Sequence, residues 1–437
     1  MRKKAVALID CNSFYVSCER VFNASIAKQA VIVLSNNDGC IVSLSAEAKR
    51  LGLKRGQPIF QHKDIIAKHH VHIFSSNYSL YADMSARVMS VLKIFSPCVE
   101  VYSIDEAFLD LSHLDDVDLT EYAKTIKACV WQHTGIPVSV GIGSTKCLAK
   151  MAIEVVKQHP EYSGVLDVTG LGEDDVDQLL VQVPVEDVWG IGRKYSLFLN
   201  NYGIQTARDL KYADEKWIRR HLTVTGERLV LELRGISCIP IETEQPPKQG
   251  IMCAKTFGRE VTSREELEEA VATYTARVAE KLRQQDSLAG ALTVFIRTNT
   301  FNTNIPQYSN SFTIQLPYPT AFTPDLIAHA LKGLKAMYRK GFSYKKCGVS
   351  LSKITPLDVV QPDLFGEYSI NDHMRQSRLM FIVDAINRIY GRDTLFFAVQ
   401  GITRSWAMRQ MHLSARFTTR WSDILAIESL QTTANGR

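Results

Sequence analysis

Two stretches of the sequence carry acids where chemistry could happen. Asp10 closes the short apolar run Ala5-Val6-Ala7-Leu8-Ile9, so a buried strand would deliver a carboxylate at its C-terminal mouth. Much further along, Val99-Glu100-Val101-Tyr102-Ser103-Ile104 reads as a strand that runs into Asp105-Glu106 and returns through Ala107 to Leu111, as a hairpin does. Neighbouring strand ends can bring Asp10, Asp105 and Glu106 within a few ångströms, and that much negative charge calls for cations. Oxygen-rich sites of this kind suit Mg²⁺, which keeps positions open for substrate phosphates. Two such ions about 3.5–4 Å apart would activate an attacking hydroxyl and stabilise a leaving pyrophosphate. The residue after a metal-binding aspartate can add its backbone carbonyl, which nominates Cys11 through its main chain and not its sulfur. Spacing alone equally accommodates Asp10 as a turn cap and Asp105-Glu106 as surface hairpin residues.

The elements that must position these acids are visible around them. Val31-Ile32-Val33-Leu34 is a further strand, closed by the turn-forming Ser35-Asn36-Asn37-Asp38-Gly39. Residues 119–134 have helical spacing, with Leu119, Tyr122, Ile126 and Val130 on one face. A strand from Pro137 to Ile142 follows, and after Gly143 a helix through Ala149, Lys150, Ile153 and Lys157. This order predicts an α+β domain on a split βαβ sheet, with an insertion between its first two strands. Residues 171–245 read as short-looped helices punctuated by Gly190-Ile191-Gly192 and Gly203-Ile204, and Pro246-Pro247 marks a linker. Beyond it, strand (about 250–261), helix (264–284), strands (289–298 and 309–316), helix (324–339) and strand (345–354) make a second βαββαβ unit.

Composition sets the outer bounds. A chain of 437 residues suggests two to four domains, and 46% hydrophobic with 22% charged residues is globular. No stretch approaches 18 consecutive apolar residues, so no spanning helix is expected. Arg2, Lys3 and Lys4 precede an apolar run that Asp10 cuts too short for a signal peptide. The nine cysteines are odd in number and never form a C-x-x-C pair, which argues against a disulfide framework or zinc module and fits a reducing cytosol. Charge is unevenly spread. Residues 1–100 carry 13 basic against 7 acidic groups, 101–200 carry 7 against 16, and 201–437 carry 31 against 23. Carboxylates collected between basic flanks suit a site that works on a polyanion, although Glu173, Asp174, Asp175 and Asp177 also read as a solvated helix start.

Longer motifs narrow these readings. Asp10-Cys11-Asn12-Ser13-Phe14-Tyr15, followed by Tyr102-Ser103-Ile104-Asp105-Glu106-Ala107-Phe108, resembles the metal-binding signature of Y-family translesion DNA polymerases. The stretches SNNDGC (35–40), FSSNYSLYADMSARVMS (74–90), DVWGIGR (187–193) and QGITRSWAMRQMHLSARFTTRWSDIL (400–425) resemble the UmuC branch, the catalytic subunits of bacterial DNA polymerase V. The resemblance implies a multidomain α+β, right-handed polymerase. Its parts would be a ferredoxin-like palm (1–18 and 77–170), small fingers (19–76), a helical thumb (171–243), a βαββαβ little finger (248–355) and a C-terminal partner-binding tail (356–437).

It also implies roles for single residues. Asp10, Asp105 and Glu106, with Cys11 through its main chain, would hold two Mg²⁺ ions. Phe14 and Tyr15 fall on the nucleotide-binding position, Tyr15 as the steric gate whose ring excludes a 2′-hydroxyl. Lys49 and Lys157 match basic positions that contact the triphosphate. Ala46 stands where many members have a phosphate-binding tyrosine, which shifts weight onto those lysines or loosens the grip. Gly190, Gly192 and Arg193 resemble a helix-hairpin-helix turn whose N–H groups face a DNA phosphate. Gln361, Leu364 and Phe365 resemble the motif that docks on the β sliding clamp, with Pro362 in place of the usual leucine. The implied partners are primer–template DNA, dNTP, a processed UmuD homodimer, a RecA–ATP filament and the clamp, with no membrane, in the cytoplasm at the nucleoid. No second carboxylate cluster resembles a proofreading exonuclease, which fits low fidelity. A catalytically silent DNA- and clamp-binding protein would not need these acids, and a nuclease or cyclase would not need the thumb and little finger.

Overall fold

The computed structural model describes residues 4–357 and 370–425, in two compact units: 4–35, 39–245 and 412–425 form one, and 36–38, 246–357 and 370–411 the other. In the first, β1 (Val6–Cys11) is buried along its whole length and leads into α1 (Phe14–Phe22). The insertion then supplies β2 (Val31–Leu34), β3 (Ile41–Leu44), the short helices α2 (Ala46–Arg50) and α3 (Lys63–Lys68), and β4 (His72–Ser75). β2 runs antiparallel to β3 and parallel to β4, a small sheet with its own core of Ile32, Leu34, Ile41 and Leu53.

α4 (Tyr78–Leu92) returns the chain to the sheet of β1, followed by β5 (Val99–Val101), β6 (Glu106–Asp110), α5 (Leu119–Thr134), β7 (Val138–Gly143), α6 (Lys146–Gln158) and β8 (Val165–Asp167). The strand order is β5-β6-β1-β7-β8, with β1 antiparallel to both β6 and β7. The sequence reading missed β8, which is only three residues long and pairs in parallel at the edge. Side chains alternate faces along a strand. Ala7, Ile9 and Cys11 therefore join a core with Leu80, Tyr81 and Met84 of α4 and Ile126 of α5, while Val6 and Leu8 turn the other way to meet Ala149 and Ile153 of α6. α6 lies unusually close to β7. A Cβ on Gly141 would meet the Ala149 carbonyl oxygen at 2.5 Å, and one on Gly143 would meet the Ala149 nitrogen at 2.7 Å.

The helical region follows as α7 (Glu173–Val181), α8 (Arg193–Asn201), α9 (Ala207–Lys211) and α10 (Glu215–Leu233), packed through Leu180, Leu199, Leu210 and Leu229 onto the outer side of α6. Glu232 of α10 ties it down. Its carboxylate accepts from the backbone N–H groups of Cys147, Cys238 and Ile239 at 3.2, 2.6 and 3.0 Å.

The second unit is β9 (Ile251–Val261), α11 (Arg264–Arg283), β10 (Ser287–Thr298), β11 (Ser309–Thr320), α12 (Thr323–Met337) and β12 (Tyr344–Pro356), within a few residues of the expected bounds. The sheet is antiparallel in the order β11-β10-β12-β9. Both helices cover one face, through Tyr274 and Val278 of α11 and Leu326 and Leu334 of α12 against Leu292, Val294, Val349 and Leu351. The register puts Ser309, Ser311, Thr313, Thr293, Arg297, Lys346, Ser350 and Thr256 on the other face, where none of the paired positions is acidic.

The tail divides between the units. α13 (Ile370–Ile389) belongs with the second, where Asp384 takes two hydrogen bonds from Arg283 at 2.6 and 2.8 Å and Trp406 is buried against Phe257 and Tyr274. Residues 412–417 run along the first. All nine cysteines are free thiols. Among the described residues, no helix is long and apolar enough to cross a membrane.

Candidate active site

Asp10 follows Val6 and Leu8 on the side of β1 that faces α6, although the strand is otherwise apolar. Glu106, the first residue of β6, pairs directly opposite it. Asp105 stands one residue earlier, where its carbonyl accepts from Cys11 N–H at 2.8 Å and its carboxylate accepts from the Ser103 hydroxyl at 2.6 Å. The hairpin tip is tight, with the N–H groups of Tyr102 and Ser103 both donating to the Glu106 carbonyl at 3.1 Å. Like charges directly opposite each other destabilise a sheet, so this corner needs compensation, and α6 provides it. Lys157 donates to Asp10 at 3.1 Å, and Lys150 reaches both oxygens of Glu106 at 3.0 Å. The two lysines are seven residues apart, hence two turns along one helix face. The missing side chains of Gly141 and Gly143 let that face sit against the sheet.

Burial pushes the Asp10 carboxyl up to about 6 against the pull of Lys157, and the charges of Glu106 and Asp105 add to the rise. Burial would lower the Lys157 ammonium, yet Asp10 and Glu154 outweigh it and hold it above its ordinary value. The Cys11 thiol is raised far above its usual range, by burial first and then by the same three acids. Its sulfur lies in the core and stays protonated, which leaves only main-chain atoms for any ligation.

Among the described residues, no group of three or more His, Cys, Asp or Glu side chains closes up as a ready cation cage. The carboxylates are engaged elsewhere: Asp10 with Lys157, Glu106 with Lys150, and Asp105 with Ser103. The donor set nevertheless fits hard divalent cations, since three carboxylates stand at neighbouring strand ends with oxygen-only chemistry and more negative charge than the two ammonium groups offset.

Tyr15, the second residue of α1, is half-buried and stacks on Tyr81 of α4 with centroids 4.4 Å apart and planes 15° from parallel. Its hydroxyl is raised by burial and then by Tyr78 and Asp105, so the ring shares a neighbourhood with the acidic corner. Arg55 acts on it in the opposite sense, and the sequence reading passed Arg55 over. The Phe14 ring is buried in the core 5.9 Å from Tyr15, so of the two it is Tyr15 that keeps exposed surface. Lys49 is exposed on the short helix α2 and is not brought to the acids by any hydrogen bond or ion pair described.

Gly190 has φ +89°, a conformation that favours glycine, and Gly192 caps α8 immediately before Arg193. Trp189 connects this turn to the acidic hairpin by donating its indole N–H to the Tyr102 hydroxyl at 2.9 Å. Lys150 sits over both rings, 4.5 Å from the centroid of Tyr102 and 5.6 Å from that of Trp189. The sequence showed Lys150 only as a helical residue seven positions from Lys157, and Trp189 only as part of the DVWGIGR stretch. Gln361, Leu364 and Phe365 lie outside the described residues.

The impB/mucB/samB family model matches residues 9–154, the model of that family's C-terminal domain matches 248–364, and a domain of unknown function (DUF4113) matches 377–427. Protein UmuC of Salmonella typhimurium is 44% identical over 424 residues, covering 97% of this chain and 100% of the relative. The chain belongs to the impB/mucB/samB family. Protein ImpB of Salmonella typhimurium, another relative, is 42% identical over 419 residues, or 96% of this chain and 98% of that one. DNA polymerase IV 1 of Bacillus subtilis is 27% identical over 405 residues, 89% of this chain and 91% of its own. A solved Y-family DNA polymerase chimera of Dbh and Dpo4 shares the fold, with a TM-score of 0.65 at 20% identity over 80% of this chain and 99% of that chain. The first family span contains Asp10, Asp105, Glu106 and Lys150, and the last contains most of α13 and residues 412–417.

Proposed function

We propose that the chain is an error-prone translesion DNA polymerase, a DNA-directed nucleotidyltransferase of the UmuC branch that extends primers across damaged bases in SOS mutagenesis. The observation that carries this reading is the corner where Asp10 lies in register with Glu106, beside Asp105, with Lys157 and Lys150 behind. Asp10, Asp105 and Glu106, with the Cys11 main chain, would hold two Mg²⁺ ions. Such ions supply charge stabilisation for phosphoryl transfer and lower the pKa of an attacking hydroxyl.

The chain's own residues do the rest. Lys157 and Lys150 hold Asp10 and Glu106 side by side before substrate arrives and then offer positive charge to incoming phosphates. Tyr15, with Phe14 behind it, bounds the sugar of the nucleotide and selects deoxyribose, while Lys49 contacts the triphosphate. Gly190, Gly192 and Arg193 hold duplex backbone at the start of α8, and Trp189 couples that turn to the hairpin bearing Asp105. Residues 1–18 and 77–170 act as palm, 19–76 as fingers, 171–243 as thumb and 248–355 as little finger. The face of the second sheet that carries Arg297 and Lys346 follows DNA phosphates without reading bases. The region 356–437 serves the processed UmuD dimer and the RecA–ATP filament, and Gln361, Leu364 and Phe365 serve the β clamp, in the cytoplasm at the nucleoid.

Primer extension past an abasic site, with Mg²⁺, dNTPs, processed UmuD and RecA filament, tests the reading. Wild type should extend and Asp105→Ala should not. Equal extension by both would reject the site, and failure of wild type in an assembled complex would reject the activity.

A further inference from the structure

Residues 412–417 form a strap on the first unit, far from the acids in sequence but packed on α1, the helix that bears Tyr15. The strap joins the edge next to α4: Ser75 N–H donates to the His412 carbonyl at 2.9 Å, and His412 N–H donates to the Ser75 hydroxyl at 3.0 Å. Asn77, the N-cap of α4 and itself 2% exposed, donates to the Ser414 carbonyl, the Ser414 hydroxyl and the Ala415 carbonyl at 3.2, 3.0 and 3.2 Å. Having accepted from Asn77, the Ser414 hydroxyl donates to Glu19 at 3.0 Å. The same Glu19 oxygen accepts from the Tyr81 hydroxyl at 2.6 Å. Further on, Phe417 stacks on Phe22 with centroids 4.7 Å apart and planes 13° from parallel.

Tyr15, Glu19 and Phe22 stand at i, i+4 and i+7 on α1, so they share one face of that helix. The strap therefore holds α1 at two points on the face that bears Tyr15. It also orients Tyr81, the ring on which Tyr15 stacks. Glu19 is 2% exposed, and a carboxylate so buried depends on its few donors. Removing the Ser414 donor leaves Tyr81 to satisfy this carboxylate alone and loosens the carboxylate on which the platform beneath Tyr15 is anchored.

We propose that Ser414 is a positioning residue for sugar selection: through Glu19 and Tyr81 it fixes the ring of Tyr15, so that the strap of the tail sets how strictly ribonucleotides are refused. This rests on Tyr15 acting as the sugar gate. A strap that merely supported folding would lower the active fraction and slow deoxy- and ribonucleotide addition together. A strap that positions the ring changes their ratio.

The test uses the full-length chain with the accessory proteins its activity requires, and compares kcat/KM for a dNTP and its rNTP. Ser414→Ala and Phe417→Ala should each reduce discrimination roughly 3- to 10-fold, the equivalent of one modest hydrogen bond or packing contact. Addition of the dNTP itself should change by no more than about twofold. Ser414→Thr keeps the hydroxyl and should restore wild-type discrimination. Tyr15→Ala serves as the reference variant and should relax discrimination further than either. If Tyr15→Ala relaxes discrimination while Ser414→Ala leaves it unchanged, the strap inference fails and the gate stands. If Tyr15→Ala leaves it unchanged, the gate reading fails and the inference falls with it.

Discussion

Two of the sheets are backed by helices, the mixed five-stranded one of the first unit and the antiparallel four-stranded one of the second, and they differ in where their charge lies. In the first unit, three carboxylates are concentrated at one strand end, Asp10 buried and Asp105 and Glu106 partly so, and two lysines from a single helix hold Asp10 and Glu106. In the second, serines, threonines, Arg297 and Lys346 are spread over one face, with no acid at its paired positions. Concentrated charge makes each residue decisive, because removing one partner leaves the other exposed to uncompensated repulsion in a poorly solvated site. Dispersed polar groups make each residue replaceable, because screened contacts to a polyanion add up from many small increments.

Substitutions should separate the two sheets. The largest effect is expected from Glu106→Gln, which removes one of the acids while keeping shape. Single-turnover nucleotide addition should fall roughly 10³-fold with DNA affinity unchanged. A variant that loses DNA binding in proportion would erase the contrast.

Next is Lys150→Met. Without its ammonium, Glu106 and Asp10 face each other with less compensation, so the ion-free protein should melt lower by the order of a broken partly buried pair, about 3 kcal/mol. Added Mg²⁺ should then raise the melting temperature more in the variant than in wild type; equal shifts would mean that Lys150 does not balance the acids.

The pH dependence has a definite sign. Asp10 prefers its proton up to about 6, so the ion-free fold gains from this group as pH falls through that value and loses the gain as pH rises. A cation must displace that proton. The Mg²⁺ concentration for half-maximal activity should therefore climb roughly tenfold per pH unit below about 6 and level off above it. A flat requirement between pH 5 and 7 would place the titrating group elsewhere.

The smallest effect belongs to the second sheet. Arg297→Ala should weaken DNA binding a few-fold, reduce the slope of log affinity against log salt by about 0.7–0.9, and leave kcat alone. A change in kcat would mean that this face does more than hold backbone.

The contrast also governs what could be read from sequence. Spacing left Asp10, Asp105 and Glu106 open to an ordinary reading, and they were legible through the stretches DCNSFY (10–15) and YSIDEAF (102–108), which resemble a metal-binding signature. The four strands and two helices of the second sheet were legible through their regular spacing. Lys150 was seen only as a helical residue, since its pairing with Glu106 spans 44 positions and depends on how closely α6 approaches two glycines. β8 was too short to leave a pattern. The split of the tail was invisible for the same reason as the lysine pairing: Ser414 meets Glu19 across 395 positions, and no local propensity records such a contact.

The most direct test of the central claim is to count divalent ions at the acidic corner. Mn²⁺ binding by electron paramagnetic resonance, on the complex with dideoxy-terminated primer–template and dNTP, would do so for wild type and for Asp10→Asn. The account predicts two tightly held ions in wild type and loss of at least one in the variant. Equal occupancy in the two proteins would contradict it.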